Sequence, residues 1–212
     1  MPRTSAPTAG RRARNKETTR SRIVAAALAL FKAKGFDATT TKAIARRARV
    51  AEGTVFNYFP TKEDIALHFF GLEVDFAIAA VRGNARLRRA PLEEQLFALV
   101  HSQLEFLAPY ERFIGAAVVQ ALRPGSKLGV FSVDGQESRV RYLTFVQELI
   151  DAASKKRRAS PLAMFGTQAF WVFYMGCVLY WLHDSSPDKQ NTLAFLDRSL
   201  KIGVAILTRG RL

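Results

Sequence analysis

The 212-residue chain carries 32 Lys and Arg against 18 Asp and Glu, a formal net charge of +14. A basic excess of this size favours an anionic partner. Apolar residues make up 49% and charged residues 24%, which excludes general disorder and a fibrous repeat. The single cysteine, Cys177, excludes an intrachain disulfide framework and a cysteine-rich zinc site, and agrees with a reducing cytosol.

The positive charge is concentrated in the first third of the chain. Residues 1–62 hold 14 Lys and Arg against three acidic residues, a net +11, whereas residues 63–212 hold 18 against 15, a net +3. Two functional units follow, of which the first is expected to bind the anion. A basic surface that only aids solubility is the alternative.

The chain opens with a segment that differs in composition from the rest. Residues 1–16 are rich in Arg, Pro, Ser and Thr and have no apolar run, which predicts a disordered basic tail. From residue 18 to 34, apolar residues recur at spacings of three and four, which predicts an amphipathic helix closed by Gly35.

Two short helices are predicted next. Thr40 is the expected N-cap of a helix over residues 42–48, and a third helix is expected over residues 52–59, ended by Pro60. In this third helix Val55, Phe56 and Phe59 are expected to point together into the core.

The remainder is also helical by its pattern. Further helices are expected over residues 61–79, 91–107, 111–122, 140–150, 161–182 and 188–207, with the longest loop over residues 123–135. No strand-like alternation interrupts them, so the predicted class is all-α, with about nine helices. The longest apolar run, residues 169–182, is too short for a bilayer span of about 18–20 residues, so no membrane association is expected.

Two short helices, a tight turn and a preceding supporting helix in the most basic part of the chain predict a helix-turn-helix. The run ATTTKAIARRARVAEGTVFNYFPTKEDI, residues 38–65, resembles the DNA-binding domain of the TetR family of bacterial transcriptional regulators. The resemblance also covers Gly35 and Phe36 and extends over residues 17–77. It implies an N-terminal DNA-binding domain there and a C-terminal effector-binding and dimerisation domain over residues 78–212.

The resemblance implies a role for several residues on double-stranded DNA. Backbone contacts are expected from Thr40, Thr41 and Lys42, and from Tyr58 and Lys62 beside the groove. In the major groove, the residues expected near bases are Gly53, which permits close approach, Thr54 and Asn57. A plain packing aromatic is the alternative for Tyr58, whose hydroxyl is expected to face outward.

Three positions depart from the family pattern. Arg49 stands where a turn glycine is common, which predicts a turn built without the preferred left-handed residue. Ala51 replaces the usual Ser or Thr cap of the third helix. Glu52 can accept from a cytosine amino group or oppose phosphate, and it can equally be a first-turn acid that stabilises the helix.

For the C-terminal part, the resemblance implies a small-molecule cavity and a four-helix bundle formed by the last two helices of two subunits. The candidate cavity residues are aromatic: Phe106, Tyr110, Phe113, Tyr142, Phe145, Trp171 and Tyr174. The candidate interface residues are Phe173, Cys177, Tyr180, Trp181, Leu193, Leu196, Leu200 and Val204. Periodicity does not divide the two sets cleanly.

Two basic clusters lie outside the helix-turn-helix. Arg11, Arg12 and Arg14 can enter an adjacent minor groove as an arm, with solvated disorder as the alternative. Lys155 to Arg158 can contact the phosphates of an acyl-CoA-like effector, although a solvated loop is the preferred interpretation.

Enzymatic chemistry is not expected. The three histidines lie on different predicted helices without paired spacing, no serine sits in a nucleophile elbow, and Gly125-Ser126-Lys127 lacks the spacing and strand of a phosphate loop. Neither a metal nor another cofactor is therefore predicted.

The function predicted is that of a cytoplasmic, nucleoid-associated homodimer, a repressor released from a pseudo-palindromic operator by a small hydrophobic or aromatic effector. The alternatives are an activator, a DNA-binding protein of low specificity, or, in another class, an α-helical enzyme or lipid carrier.

Overall fold

The computed structural model describes residues 8–153 and 161–209. Nine α-helices lie within these ranges: α1 Thr8–Lys34, α2 Thr41–Ala48, α3 Glu52–Tyr58, α4 Lys62–Gly83, α5 Leu92–Leu107, α6 Glu111–Ala121, α7 Gln136–Ala153, α8 Pro161–His183 and α9 Gln190–Arg209. The described residues contain no strand. The all-α prediction is confirmed, and apart from the start of α1 the helices begin and end close to the expected positions.

Helix α1 begins earlier than expected. Residues 8–16 were expected to belong to a disordered tail, but the helix already starts at Thr8, while residues 1–7 lie outside the described part. The physical reason is that extending a helix from a packed segment adds one hydrogen bond per ordered residue and needs no new nucleus. Side chains of residues 10–18 stay exposed, so this extension is helical without being packed.

The end of α1 agrees with the sequence prediction. Gly35 has φ +88°, the left-handed conformation that glycine adopts without strain, and its N–H donates to the Phe31 carbonyl at 3.0 Å. This turn directs the chain into α2 and closes the first helix beside the aromatic core.

Helix α4 belongs to both parts of the molecule. Its first half buries Ile65 and Phe69 with the three N-terminal helices, and its second half buries Ala77 and Val81. It packs extensively against α5 and also contacts α1 and α7. The expected boundary at residue 77 therefore falls inside one continuous helix.

Aromatic stacking joins the N-terminal helices to the rest. Phe113 of α6 is fully buried, with its ring centroid 4.8 Å from that of Phe31 in α1 and 6.0 Å from that of Phe70 in α4. Phe36 and Phe69 lie 5.6 and 5.8 Å from the same ring. The core is therefore continuous from α1 and α4 to α6 through this cluster.

The last two helices pack on each other and α9 also packs on α5. Each keeps an exposed face that carries large apolar side chains. In the described part of the chain, no helix is long and apolar enough to cross a membrane.

Candidate nucleic-acid interface and cavity

The start of α2 is capped as predicted. Thr40 has extended backbone angles, φ −110° and ψ 153°, and its hydroxyl oxygen accepts from the Ala43 N–H at 3.2 Å. Thr40 and Lys42 are exposed and Thr41 is half-buried. The helix end with its unpaired backbone amides is thus open to an anion.

The turn between α2 and α3 keeps the left-handed conformation without a glycine. Arg49 adopts φ 54° and ψ 49°, which costs a non-glycine residue about 1–2 kcal/mol. The Val50 N–H donates to the Ala45 carbonyl at 3.1 Å. Arg22 from α1 donates to the carbonyls of Ala48 and Arg49. A guanidinium at a helix C-terminus satisfies free carbonyls and complements the helix dipole.

Sequence reasoning did not identify Arg22, because its contact crosses 26 residues. The turn is built without glycine, and Arg49 itself adopts the left-handed conformation that glycine would otherwise take.

Helix α3 is short and has one buried face. Val55 is fully buried and Phe59 is 5% exposed, whereas Phe56 is 46% exposed. The expectation that Phe56 belongs to the core is wrong. Val55 and Phe59 lie four residues apart and share a face, while Phe56 is rotated by about 100° from Val55.

The outer side of α3 carries the predicted base-contacting residues. Glu52, Gly53 and Asn57 are exposed and Thr54 is half-buried. A Cβ atom built on Gly53 would meet no heavy atom within 4 Å. The protein's own packing therefore does not require glycine at this position.

Ala51 begins α3 as its N-cap and supplies no side-chain hydrogen bond, as predicted. The Thr41 hydroxyl donates to the Glu52 carboxylate at 3.4 Å, a long bond that links the starts of α2 and α3. Glu52 also lies in the first helical turn, where an acid is favourable.

Lys62 is engaged within the chain. Its ammonium donates to the carbonyls of Phe36 at 2.8 Å and Asp37 at 3.1 Å and lies 4.6 Å from the centre of the Phe36 ring. Two of the three ammonium donors are thus used to hold the connection between α1 and α2. Tyr58 is half-buried and packs against the core.

A cavity of about 230 Å³ lies between α4, α6, α7, α8 and the loop over residues 122–135. Trp171 and Tyr174 line it, as predicted. Most of its other lining is aliphatic and comes from α4, α6 and the loop.

Five predicted cavity residues do not line this cavity: Phe106, Tyr110, Phe113, Tyr142 and Phe145. The rings of Phe106 and Tyr110 pack against Phe69, while Phe145 is buried beneath the Arg82 guanidinium. They fill the core instead, because large aromatic rings bury the most apolar surface there.

A buried polar cluster adjoins the cavity. Glu73, which lines it, is 3% exposed, and the Tyr174 hydroxyl donates to its Oε1 at 3.0 Å. Nearby, the Tyr142 hydroxyl donates to Gln103 Oε1 at 2.7 Å. Burial raises the pKa of Glu73 to about 7, against the lowering effect of Gln103 and Tyr174.

Glu73 was missed by sequence reasoning. The signal that could have found it is an acidic residue between the apolar Leu72 and Val74 in α4. Buried carboxyl groups of this kind concentrate at functional sites.

The loop beside the cavity is tied to the start of α4. The Lys127 ammonium lies 3.0 and 3.1 Å from the two carboxylate oxygens of Asp64. Asp64 also accepts from the Thr61 N–H at 2.8 Å in a capping box. Partial burial opposes ionisation of Asp64, but the bonds from Thr61 and Lys127 lower its pKa on balance.

A second bond links α6 to the N-terminal helices. The Gln120 side-chain amide donates to the Asp37 carboxylate at 2.7 Å. Its neighbours Ala121 and Leu122 line the cavity. The cavity wall is therefore connected to the same loop whose carbonyls bind Lys62.

The predicted interface residues divide into two groups. Five are buried within the chain and belong to its own core, contrary to the expectation: Cys177, Trp181, Leu196, Leu200 and Val204. Tyr180 is exposed, and Phe173 and Leu193 are half-buried. The large exposed apolar side chains of these helices are Val172, Leu179, Tyr180, Phe195, Ile202 and Ile206. Periodicity could not separate the faces of α8, because it is apolar nearly all round.

Together, the helix-turn-helix and the helical domain with its cavity define an all-α protein of two parts. Residues 23–69 match the family described as bacterial regulatory proteins, tetR family, and residues 95–212 match the tetracyclin repressor-like C-terminal domain. The chain belongs to the TetR family of bacterial regulators.

Two curated relatives are similar over about a third of the chain. The HTH-type transcriptional repressor KstR of Rhodococcus jostii is 39% identical over 80 residues, which are 38% of this chain and 37% of that protein. KstR of Mycolicibacterium smegmatis is 39% identical over 73 residues, 34% of this chain and 33% of that protein. The match thus spans about a third of the length of each relative.

Solved structures share the fold over most of the chain. A TetR regulator from Nitrosomonas europaea has a TM-score of 0.69 at 18% identity and covers 87% of this chain and 97% of its own. Thermus thermophilus FadR, solved with lauroyl-CoA, has a TM-score of 0.65 at 23% identity and covers 91% and 95%.

Proposed function

We propose that the protein is a sequence-specific transcriptional repressor that binds a pseudo-palindromic operator as a homodimer and leaves it when a small molecule occupies the cavity. The observation that carries this proposal is the outer side of α3. It is open to a major groove and presents Gly53, Thr54 and Asn57.

The DNA contacts fall into two kinds. Thr40, Thr41 and Lys42 at the start of α2 bind backbone phosphates, because helix N-termini and cations attract anions. Asn57 pairs with an adenine edge, and Gly53 allows the backbone to approach the bases, since no atom of the chain occupies the space of a Cβ there.

Two subunits join through the exposed apolar faces of α8 and α9. The exposed side chains Tyr180, Phe195 and Ile202 would be covered by the same residues of a second copy in a two-fold arrangement. Phe195→Asp should therefore shift the protein from dimer to monomer in sedimentation velocity. Phe131→Asp, which changes a more exposed ring on the loop, should leave the dimer intact.

The effector acts on DNA binding through two connections. A molecule entering the cavity presses on the loop over residues 122–135 and on α6. The loop is bonded to the start of α4, just after α3, through Lys127 and Asp64. Helix α6 is bonded to the turn before α2 through Gln120 and Asp37. An effector that favours another position of these elements weakens operator binding by population shift.

Selection of bound duplexes from a random library tests the DNA-binding part. We expect an inverted repeat whose half-sites are separated by about one helical turn, since each subunit presents one α3. Enrichment without any common motif would instead identify a DNA-binding protein of low specificity.

The name of the KstR relatives supports repression. The selected repeat placed between a promoter and a reporter gene should lower transcription when the protein is present. Increased transcription from a promoter with the repeat upstream would identify an activator.

A further inference from the structure

The wall of the cavity contains one buried acidic group in otherwise apolar surroundings. Glu73 is 3% exposed, and the wall around it includes Phe70, Val74 and Ile114. A carboxylate in such a place is unfavourable unless it is paired with a cation or well hydrogen-bonded.

The groups of the chain that surround Glu73 are neutral. Tyr174 donates one hydrogen bond to Oε1, and Gln103 lies close enough to lower the pKa. The Gln103 side-chain nitrogen is itself buried without a hydrogen-bond partner in the described part of the chain. No described cation contributes to the ionisation of Glu73.

The other two charged residues of the wall are already engaged or solvated. Arg139 donates to the carbonyls of Val130 and Ser132, both at 3.2 Å, which holds the loop against α7. Asp134 is exposed. Among the acidic residues of the described wall, Glu73 is therefore the one that is buried.

Aromatic faces and a small volume further restrict the ligand. Trp171, Tyr174 and Phe70 line the same cavity, and aromatic faces attract cations. The volume of about 230 Å³ lies below the range of roughly 300–1,000 Å³ that drug-sized ligands need. A whole acyl-CoA is larger than this volume.

We propose that the effector is a small lipophilic amine, whose ammonium group pairs with the Glu73 carboxylate while its apolar part fills the space lined by α4, α6 and α8. Only the expected consequence of amine binding, the release of DNA, rests on the proposed function. Binding of the amine depends on the cavity alone.

Calorimetry with three matched probes tests the proposal: 4-phenylbutylamine, 4-phenylbutan-1-ol and 4-phenylbutanoate. At pH 8 we expect the amine to bind the full chain about tenfold more tightly than the alcohol or better, because hydrogen bonds to a charged partner are the strong ones. Equal binding of amine and alcohol, tighter binding of the butanoate, or binding of none of them would overturn the proposal.

Two variants identify the partner group. Glu73→Gln keeps the shape and removes the charge, so it should abolish the preference for the amine over the alcohol. Asp134→Asn removes an exposed carboxylate at the same cavity and should retain that preference. Loss of the preference in Asp134→Asn alone would assign the effect to surface charge and refute the role of Glu73.

Proton release provides a measurement that needs no variant. Burial raises the pKa of Glu73 to about 7, so part of the protein carries a protonated Glu73 at pH 7, and pairing with the amine should release protons. The facing groups stay neutral, because the pKa values of Tyr142 and Tyr174 are raised well above 10.0 and that of Cys177 to about 12. Titrations in two buffers of different ionisation enthalpy measure the release, and amine binding without it would contradict the proposal.

The same preparation separates this proposal from the proposed function. Operator binding is measured for the wild-type chain with the selected repeat, with and without 4-phenylbutylamine. If the chain binds no operator, the proposed function fails while the cavity chemistry stands. If it binds the operator but not the amine, only the present inference fails.

Discussion

The helix-turn-helix and the cavity region use charged side chains in opposite ways. Around α2 and α3, cations bind backbone carbonyls, as Arg22 does at the end of α2 and Lys62 does before its start. In the cavity region, the buried acidic group is the Glu73 carboxyl, which accepts a hydrogen bond from the Tyr174 hydroxyl. Arg22 and Lys62 thus find their hydrogen-bond partners within the chain and stabilise the turns. The cavity region leaves a charge for a ligand to satisfy.

The largest effect is expected where the two regions meet. Phe113→Ala removes a fully buried ring that touches α1 and α4, so the free energy of unfolding should fall by about 3–5 kcal/mol. Urea unfolding should retain a single transition, because the core is continuous. Phe131→Ala, at a ring 64% exposed, should change stability by about 0.5 kcal/mol or less. Two separated transitions for the Phe113 variant would mean that the regions fold independently.

Glu73→Gln should stabilise the protein in a pH-dependent manner. Burial raises the pKa of Glu73 from 4.5 to about 7, so the wild type binds the proton more strongly when folded and loses stability as pH rises through this window. The variant should therefore be more stable by about 3 kcal/mol at pH 8, since each pKa unit is about 1.4 kcal/mol.

The advantage of Glu73→Gln should shrink as pH falls toward 4.5 and vanish below it, where Glu73 is protonated in both states. Urea unfolding at pH 5 and pH 8 measures it. A difference that is the same at both pH values would show that the variant acts through packing and not through the charge.

Lys62→Ala tests whether a residue of the DNA-binding region has both a structural and a binding role. The loss of two bonds to carbonyls should lower the free energy of unfolding by about 1–2 kcal/mol. It should also weaken binding to all operators and lower the salt slope by about one. Lys42→Ala, at an exposed lysine, should give the same salt effect with unchanged stability. Unchanged unfolding of the Lys62 variant would contradict the structural role.

The smallest effect on the fold is expected for Asn57→Ala, because this side chain is exposed on α3. Discrimination at one base pair of each half-site should fall by about 1–2 kcal/mol, while stability stays the same. Competition binding with operators that differ at single positions measures the change. An equal loss on every operator would mean that Asn57 contacts the backbone and not a base.

Local signals predicted the DNA-binding region well. The Thr40 cap and the Gly35 turn involve contacts within four residues, and their geometry follows from residue type. Phe56 was assigned wrongly, because a helix of seven residues is too short for its pattern to define a single apolar face. The role of Arg22 could not be predicted, since its carbonyl partners are fixed only when α1 packs on α2.

The cavity was predicted to exist, but mostly from the wrong residues. Aromatic residues are the natural candidates for both a cavity and a core, and only packing separates Trp171, which lines the cavity, from Tyr142, which is buried in the core. The bond from Tyr174 to Glu73 spans 101 residues, and that from Lys127 to Asp64 spans 63. Contacts between residues so far apart in the chain produce no periodic pattern in the sequence.

The all-α class, the helix-turn-helix and the partition of the net charge follow from the order of residues alone, because capping, periodicity and composition are local properties. Long-range packing of α4 against α6, α7 and α8 determined which side chains enclose the cavity, which acid is buried in it and which faces of α8 and α9 stay exposed. A side chain is buried or exposed by the helices that cover it, and that is a property of the folded chain.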